Sequence, residues 1–243
     1  MAGLKTKDNI VNSKLQDENF LKDALHHDII CLSETHCSYE DDMQIEGFSC
    51  FKLCRAVTKK LNRHFGGIAI YYRKELKQGL KFLEHKNDDY VWVKLCKYFF
   101  NLDEDYYLCY AYIPPEYSSY YKVRQQDTLE FIESDIVKYS KKGYVLLSGD
   151  LNARTGVIPD SIVHDNEIGC AKSPFYTVDN DINVRYSQDK NNVCSRGKRL
   201  IDICIASKLR IANGRLAGDA LGRFTCHRNG GSSVVDYVIV NEH

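Results

Sequence analysis

Four places in this 243-residue chain put a chemically competent polar side chain at the edge of an apolar run. In YVLLSGDLNARTG, the run 144–148 reads as a short buried strand that stops at Gly149 and then presents Asp150 and Asn152, two residues apart. In extended chain such positions point the same way, so both side chains are expected to project from one strand tip. A carboxylate there can accept a proton or hold a cation, and a carboxamide can fix a water or a phosphate oxygen. The competing reading of the pair is a turn, which favours Asp and Asn. The run IICLS delivers Glu34 in the same manner, a fit to a hard cation such as Mg²⁺ that takes one or two carboxylates plus substrate phosphate. Its alternative is an exposed loop Glu. In YAYIPP, Tyr112 ends a strand against a rigid double proline and can donate to an anion; its alternative is a core aromatic, one of 17 tyrosines. Asp236 lies inside SVVDYVIV, where an unpaired acid is costly, so it needs a His or Arg, or satisfaction by Ser232 and Ser233.

The elements that must position these residues follow from periodicity. Phe20, Leu21, Ala24 and Leu25 predict a helix over 17–27. Strands are expected at 28–33, 48–54, 66–73, 90–97 and 106–112, and the alternation in YVWVKLCK predicts one face on a core. A helix is expected over 122–141, ended by Gly143, then the strand at 144–148. Residues 157–194 read as a long polar surface insertion. A further helix starts with Ser195 as N-cap, and 209–213 and 233–240 are strands. Strands come first in hairpin-like succession and then alternate with helices, which favours an α/β sandwich in one domain, 1–243.

Composition narrows the class. Hydrophobic content of 44% and charged content of 27% are those of a globular protein. Formal net charge is zero, so nucleic-acid binding would need local patches. No run approaches the roughly 18 apolar residues of a membrane span, and the first residues lack the apolar stretch of a signal peptide, so no membrane partner is expected. The ten cysteines are scattered, several in apolar runs, and read as small buried hydrophobes of a reducing compartment. His36, Cys37, Cys50 and Cys54 have the wrong spacing for a common zinc finger. From Gly47 to Lys74 there is no acid, while Lys52, Arg55, Lys59, Lys60, Arg63, Arg73 and Lys74 are basic, which reads as a set of phosphate contacts or as a solvated loop.

Taken in order, DIICLSETH (28–36), GGIAIYYR (66–73), YAYIPP (110–115), LLSGDLNARTG (146–156) and SSVVDYVIV (232–240) resemble the endonuclease/exonuclease/phosphatase superfamily with its DNase I-like fold. NNVCSRGKRLIDICIASKLRIANGR and GDALGRFT look like its LINE-type retrotransposon endonuclease branch. The resemblance implies a four-layer α/β sandwich, two mixed sheets face to face with helices outside. It implies Glu34 as metal ligand, Tyr112 as donor to the scissile phosphate and Asp150 as the acid acting on the attacking water. Asn152 would orient phosphate and water, and Asp236 would pair with a catalytic His. Thr225 and Ser233 would lie near a DNA-facing surface, with Lys59, Lys60, Arg63 and Arg154 as further DNA contacts. The implied cofactor is Mg²⁺, with Mn²⁺ as the alternative. The implied partners are DNA and, in a longer element, a reverse transcriptase domain; the expected location is intracellular, nuclear or cytoplasmic.

Two departures shape the expectation. The family's first-strand Asn precedes a Gly-Leu pair, and here only Met1-Ala2 precede Gly3-Leu4. The family's closing Ser-Asp-His is also missing, and His243 follows Asp236 too soon to replace it. The chain therefore reads as a domain clipped at both ends, with little or no nuclease activity expected of it. Competing readings keep the fold as a non-catalytic remnant or gene-model fragment, or turn it to lipid or RNA phosphoesters.

Overall fold

Long apolar runs form strands here because both of their faces find cover. The computed structural model describes residue 15 and residues 17–56, 64–122, 127–162, 184–190 and 192–241, and the chain divides into two compact units, Met1–Leu151 and Asn152–His243.

In the first unit, α1 (Glu18–Ala24) is capped by the Asp17 side chain, which accepts from the backbone N–H of Asn19 and Phe20. It leads into β1 (Ile29–Ser33), β2 (Phe48–Leu53) and β3 (Ile68–Arg73), an antiparallel sheet in the order β1-β3-β2. A 3₁₀ turn precedes β4 (Leu80–Phe82), followed by β5 (Tyr90–Leu95), the short α2 (Lys97–Phe100), β6 (Tyr106–Tyr112), α3 (Thr128–Tyr139) and β7 (Tyr144–Asp150). Strands β4, β5 and β6 pair antiparallel, and β6 pairs with β7 in parallel after the α3 crossover. The two sheets meet over Leu53, Ile68, Ile70, Val91, Val93 and Tyr112. Ala69, Tyr71 and Phe48 on the far side of the first sheet pack with Met43, Ile45 and the α1 side chains Phe20 and Leu21. On the far side of the other sheet, Tyr139 of α3 stacks on Tyr107 at 4.8 Å and tilts against Trp92 at 4.9 Å. This unit alone is therefore layered helix, sheet, sheet, helix, an α/β fold with a mixed sheet.

In the second unit, α4 (Ser195–Ser207) buries Leu200, Ile201, Ile203 and Cys204 and packs on β8 (Leu209–Ile211). β9 (Cys226–Arg228) and β10 (Gly231–Ser233) form a hairpin, and β11 (Asp236–Asn241) pairs antiparallel with β8. Asp160 is fully buried; Arg215 grips both of its oxygens at 2.7 and 2.6 Å, and the Ile211 N–H donates to it at 2.7 Å.

Several sequence expectations need correction. Residues 90–93 are buried on both faces rather than one, because α3 covers the second. The helix expected over 122–141 starts at Thr128, where the Asp127 carboxylate caps the Leu129 N–H. Strand β7 runs through Gly149 to Asp150 rather than stopping at the glycine. The N-cap of α4 is Cys194, whose sulfur accepts from Gly197, and Ser195 is the first helical residue. The expected strand 233–240 is split by the buried pair Val234-Val235, so Asp236 opens β11 instead of lying inside a strand. Residues 163–183 of the expected insertion lie outside the described residues, but Arg185, Ser187 and Asp189 after it are buried, not superficial.

Cys109 and Cys204 are wholly buried. Burial pushes the Cys31 and Cys204 thiols up to about 12 and Cys109 well above the ordinary thiol range. No helix among the described residues is long and apolar enough to cross a membrane.

Candidate active site

Three strand ends of the first unit converge. β1 ends at Ser33, and the next residues leave the sheet through two left-handed positions, Glu34 at φ 53° and His36 at φ 56°. Non-glycine residues hold this conformation only against a cost of about 1–2 kcal/mol, so something must impose it. The Gly66-Gly67 pair before β3 does so: the Thr35 N–H donates to the Gly67 carbonyl at 3.3 Å and the His36 N–H to the Gly66 carbonyl at 2.8 Å. The Glu34 carboxylate is thereby aimed at Tyr112, whose hydroxyl donates to its Oε1 at 2.6 Å. Tyr112 ends β6 opposite Asp150, which ends β7 in parallel register. Gly149 makes that approach possible: at φ 123° it passes so close to β6 that a Cβ would collide with the Ala111 carbonyl oxygen.

The Tyr112 ring is buried in the core between the sheets. Burial raises its hydroxyl above the usual phenol range, the Glu34 hydrogen bond and the Glu34 and Asp150 charges raise it further, and the Arg55 charge opposes them. At neutral pH the group is a fixed donor and not a base. Behind it lies Arg55, 6% exposed, with its guanidinium 4.7 Å from the ring centres of both Tyr112 and Tyr120. Its Nη2 donates to the Tyr112 carbonyl at 2.8 Å and pairs with Asp89 Oδ1 at 2.6 Å. Asp89 also accepts from the Tyr120 hydroxyl at 2.7 Å and from Thr128 Oγ1 at 2.8 Å. Neither Arg55 as a buried residue nor Asp89 was legible in the sequence. One sits in a basic stretch and the other in a polar turn, and the only hints are the Gly-Gly pair and an acid directly before an apolar strand.

Asn152 opens the second unit. Its φ of 44° takes it out of extended chain, so the two-apart argument that aligned it with Asp150 does not hold. Its loop is held by α4: Arg196 Nη1 donates to the Asn152 carbonyl at 3.3 Å, and the Cys194 N–H to the Arg154 carbonyl at 3.1 Å. The Tyr237 hydroxyl donates to the Ala153 carbonyl at 2.7 Å. Gly197 lets the helix start press on this loop, since a Cβ there would collide with the Arg154 carbonyl oxygen. Asp236 is seated by Thr225, whose Oγ1 accepts from the Val235 and Asp236 N–H groups at 3.0 and 3.1 Å. Ser233 takes the Thr225 N–H on its carbonyl at 3.0 Å.

Several of the expected DNA contacts have partners within the chain. The Arg154 guanidinium is engaged within the chain, bidentate to Asp189 at 2.8 and 2.5 Å. The Thr225 hydroxyl holds the start of β11. In the basic stretch, Lys52 Nζ donates to the Tyr39 and Asp41 carbonyls, Arg55 is buried, and Arg73 binds Asp28 and the Leu25 carbonyl. Lys59, Lys60 and Arg63 lie outside the described residues.

No group of three or more His, Cys, Asp or Glu side chains among the described residues could hold a metal ion between them. That donor set does not fit an all-protein cage. It does fit a hard ion taken by one carboxylate with water and substrate oxygens, because Glu34 Oε2 has no donor among the described residues while Oε1 is held by Tyr112.

The family assignment follows from sequence and fold together. Residues 7–243 match the model of the Endonuclease/Exonuclease/phosphatase family, and the chain belongs to that family. No curated protein matches it by sequence. Among solved structures it is similar to the 3′ phosphatase NExo from Neisseria bound to a product DNA hairpin, with TM-score 0.55, 12% identity and coverage of 98% of this chain and 83% of that one. It is similar to an AP endonuclease from Archaeoglobus fulgidus at TM-score 0.54 and 15% identity, covering 96% and 83%. The human Nocturnin catalytic domain matches at TM-score 0.54 and 13% identity, covering 95% and 74%. At these identities the likeness is one of fold.

Proposed function

We propose that the chain hydrolyses phosphodiester bonds in DNA as an endonuclease of retrotransposon type, working with Mg²⁺ or, in its place, Mn²⁺. The observation that carries this reading is the Tyr112 hydroxyl held on Glu34 at 2.6 Å, at a strand end registered against Asp150. Asp150 takes the proton of the attacking water on a carboxylate oxygen. Tyr112, kept protonated, turns its one O–H from Glu34 to a phosphate oxygen as charge grows there. The family resemblance adds Asn152, whose carboxamide would orient phosphate and water, and Asp236, which in the family pairs with a catalytic His. Glu34 would hold the ion, which when bound stabilises negative charge on the phosphate oxygens. The retrotransposon type rests on the motifs between Asn191 and Asp236, and the DNA substrate is supported by the similar fold of the 3′ phosphatase bound to a DNA hairpin and of the AP endonuclease.

The test is nicking of supercoiled plasmid by the purified chain in Mg²⁺ and in Mn²⁺, beside Asp150→Asn. Metal-dependent nicking lost in Asp150→Asn supports the reading. Nicking that survives the substitution, or hydrolysis of a phospholipid or RNA substrate in preference to the plasmid, overturns it.

A further inference from the structure

We propose that Arg55 is a positioning residue, which with Asp89 locks the Tyr112 phenol onto Glu34; this rests on Tyr112 being the phosphate donor of the reaction above. Arg55 and Asp89 hold Tyr112 from three sides. The Tyr112 N–H donates to the Asp89 carbonyl at 2.8 Å, its own carbonyl accepts from Arg55 Nη2 at 2.8 Å, and its ring face lies 4.7 Å from the guanidinium carbon. With both backbone groups and one ring face fixed, the phenol has little freedom left, and its hydroxyl is delivered to Glu34.

The other side of the same guanidinium meets Gly66, where a Cβ would collide with Arg55 Nη1. Gly66 and Gly67 are also the residues whose carbonyls hold Thr35 and His36, and so set the direction of Glu34. Arg55 therefore sits where the support of the donor and the support of the acceptor meet. Direct phosphate binding is a poor alternative, because the guanidinium is already ion-paired with Asp89 and is enclosed by Gly66 and the rings of Tyr112 and Tyr120.

The experiment combines NMR and kinetics on the full chain. Arg55→Met alone would strand the buried Asp89 charge, so it is made together with Asp89→Asn, and Arg55→Lys serves as the conservative variant. Tyrosine labelled with ¹³C at the ζ carbon reports the Tyr112 hydroxyl, with the signal assigned by its loss in Tyr112→Phe. With Arg55 present, Glu34→Gln shifts this signal; in the Arg55→Met/Asp89→Asn chain the same substitution leaves it unmoved. On plasmid, kcat falls about 100-fold in that variant while KM stays within about twofold, a loss of the size that small misplacement causes. Adding Tyr112→Phe costs nothing further, and Arg55→Lys recovers part of the rate. A Tyr112 signal that still answers to Glu34→Gln without Arg55, or losses that multiply, overturns the proposal. A wild-type chain that nicks nothing overturns the functional reading, while the NMR comparison still decides the positioning.

Discussion

The smallest unit of this chemistry is one hydroxyl and two carboxylates. Burial, then the Glu34 hydrogen bond and the Glu34 and Asp150 charges, keep the Tyr112 proton in place, so Tyr112→Phe removes a donor and leaves the ring packing intact. We expect nicking to fall about 100-fold, as for loss of one preorganised donor, with a stability change under about 1.5 kcal/mol in a urea melt. A variant that melts much earlier but keeps its rate would return Tyr112 to the role of a core aromatic. Glu34, Tyr112 and Asp150 were legible in the sequence because each stands at the end of an apolar run long enough to read. Arg55 and Asp89 were not, because a buried ion pair between residues so far apart in sequence leaves no period and uses residue types normally found in water. The spacing argument for Asn152 fails, because its left-handed backbone breaks the alternation on which that argument relied.

Among elements, β7 and the Arg215–Asp160 pair carry the most testable demands. Gly149→Ala must place a Cβ against the Ala111 carbonyl at a φ of 123°, so we expect a loss above about 2 kcal/mol, read by denaturant unfolding, with Asp150 displaced. Arg215→Met leaves Asp160 buried without its bidentate partner and should cost about 3–5 kcal/mol. Burial alone would raise the Asp160 carboxyl, but Arg215 and the Ile211 N–H bring it below its ordinary 3.8. Its contribution to stability is therefore full above that pH and is lost as pH falls through the lowered folded value. Melting temperature against pH should show this acid limb in the wild type and lose it in Asp160→Asn. The long strands were readable from their runs. β4 and the β9–β10 hairpin strands were not, since three residues are too few to display a period, and β10 is Gly-Ser-Ser. The start of α3 was misplaced because a cap is a local bond that apolar spacing does not reveal.

For the molecule as a whole, zero net charge means that any grip on DNA is local. Of the seven basic residues between Gly47 and Lys74, the side chains of Lys52, Arg55 and Arg73 are committed internally, and Lys59, Lys60 and Arg63 lie outside the described residues, so at most four serve as phosphate contacts. If this stretch carries the binding, affinity should fall with salt with a log–log slope no steeper than about −4, and Lys59→Ala with Lys60→Ala should flatten it by about 2 without changing site preference. A slope unaffected by that pair would move the contact elsewhere. The wholly buried cysteines open a different line of enquiry. Cys109 reacts with an alkylating reagent only when the first unit opens around it, and Cys204 only when the second does, so each thiol times the breathing of its own half. Equal modification rates that respond alike to urea would describe one cooperative folding block, and unequal rates would describe two.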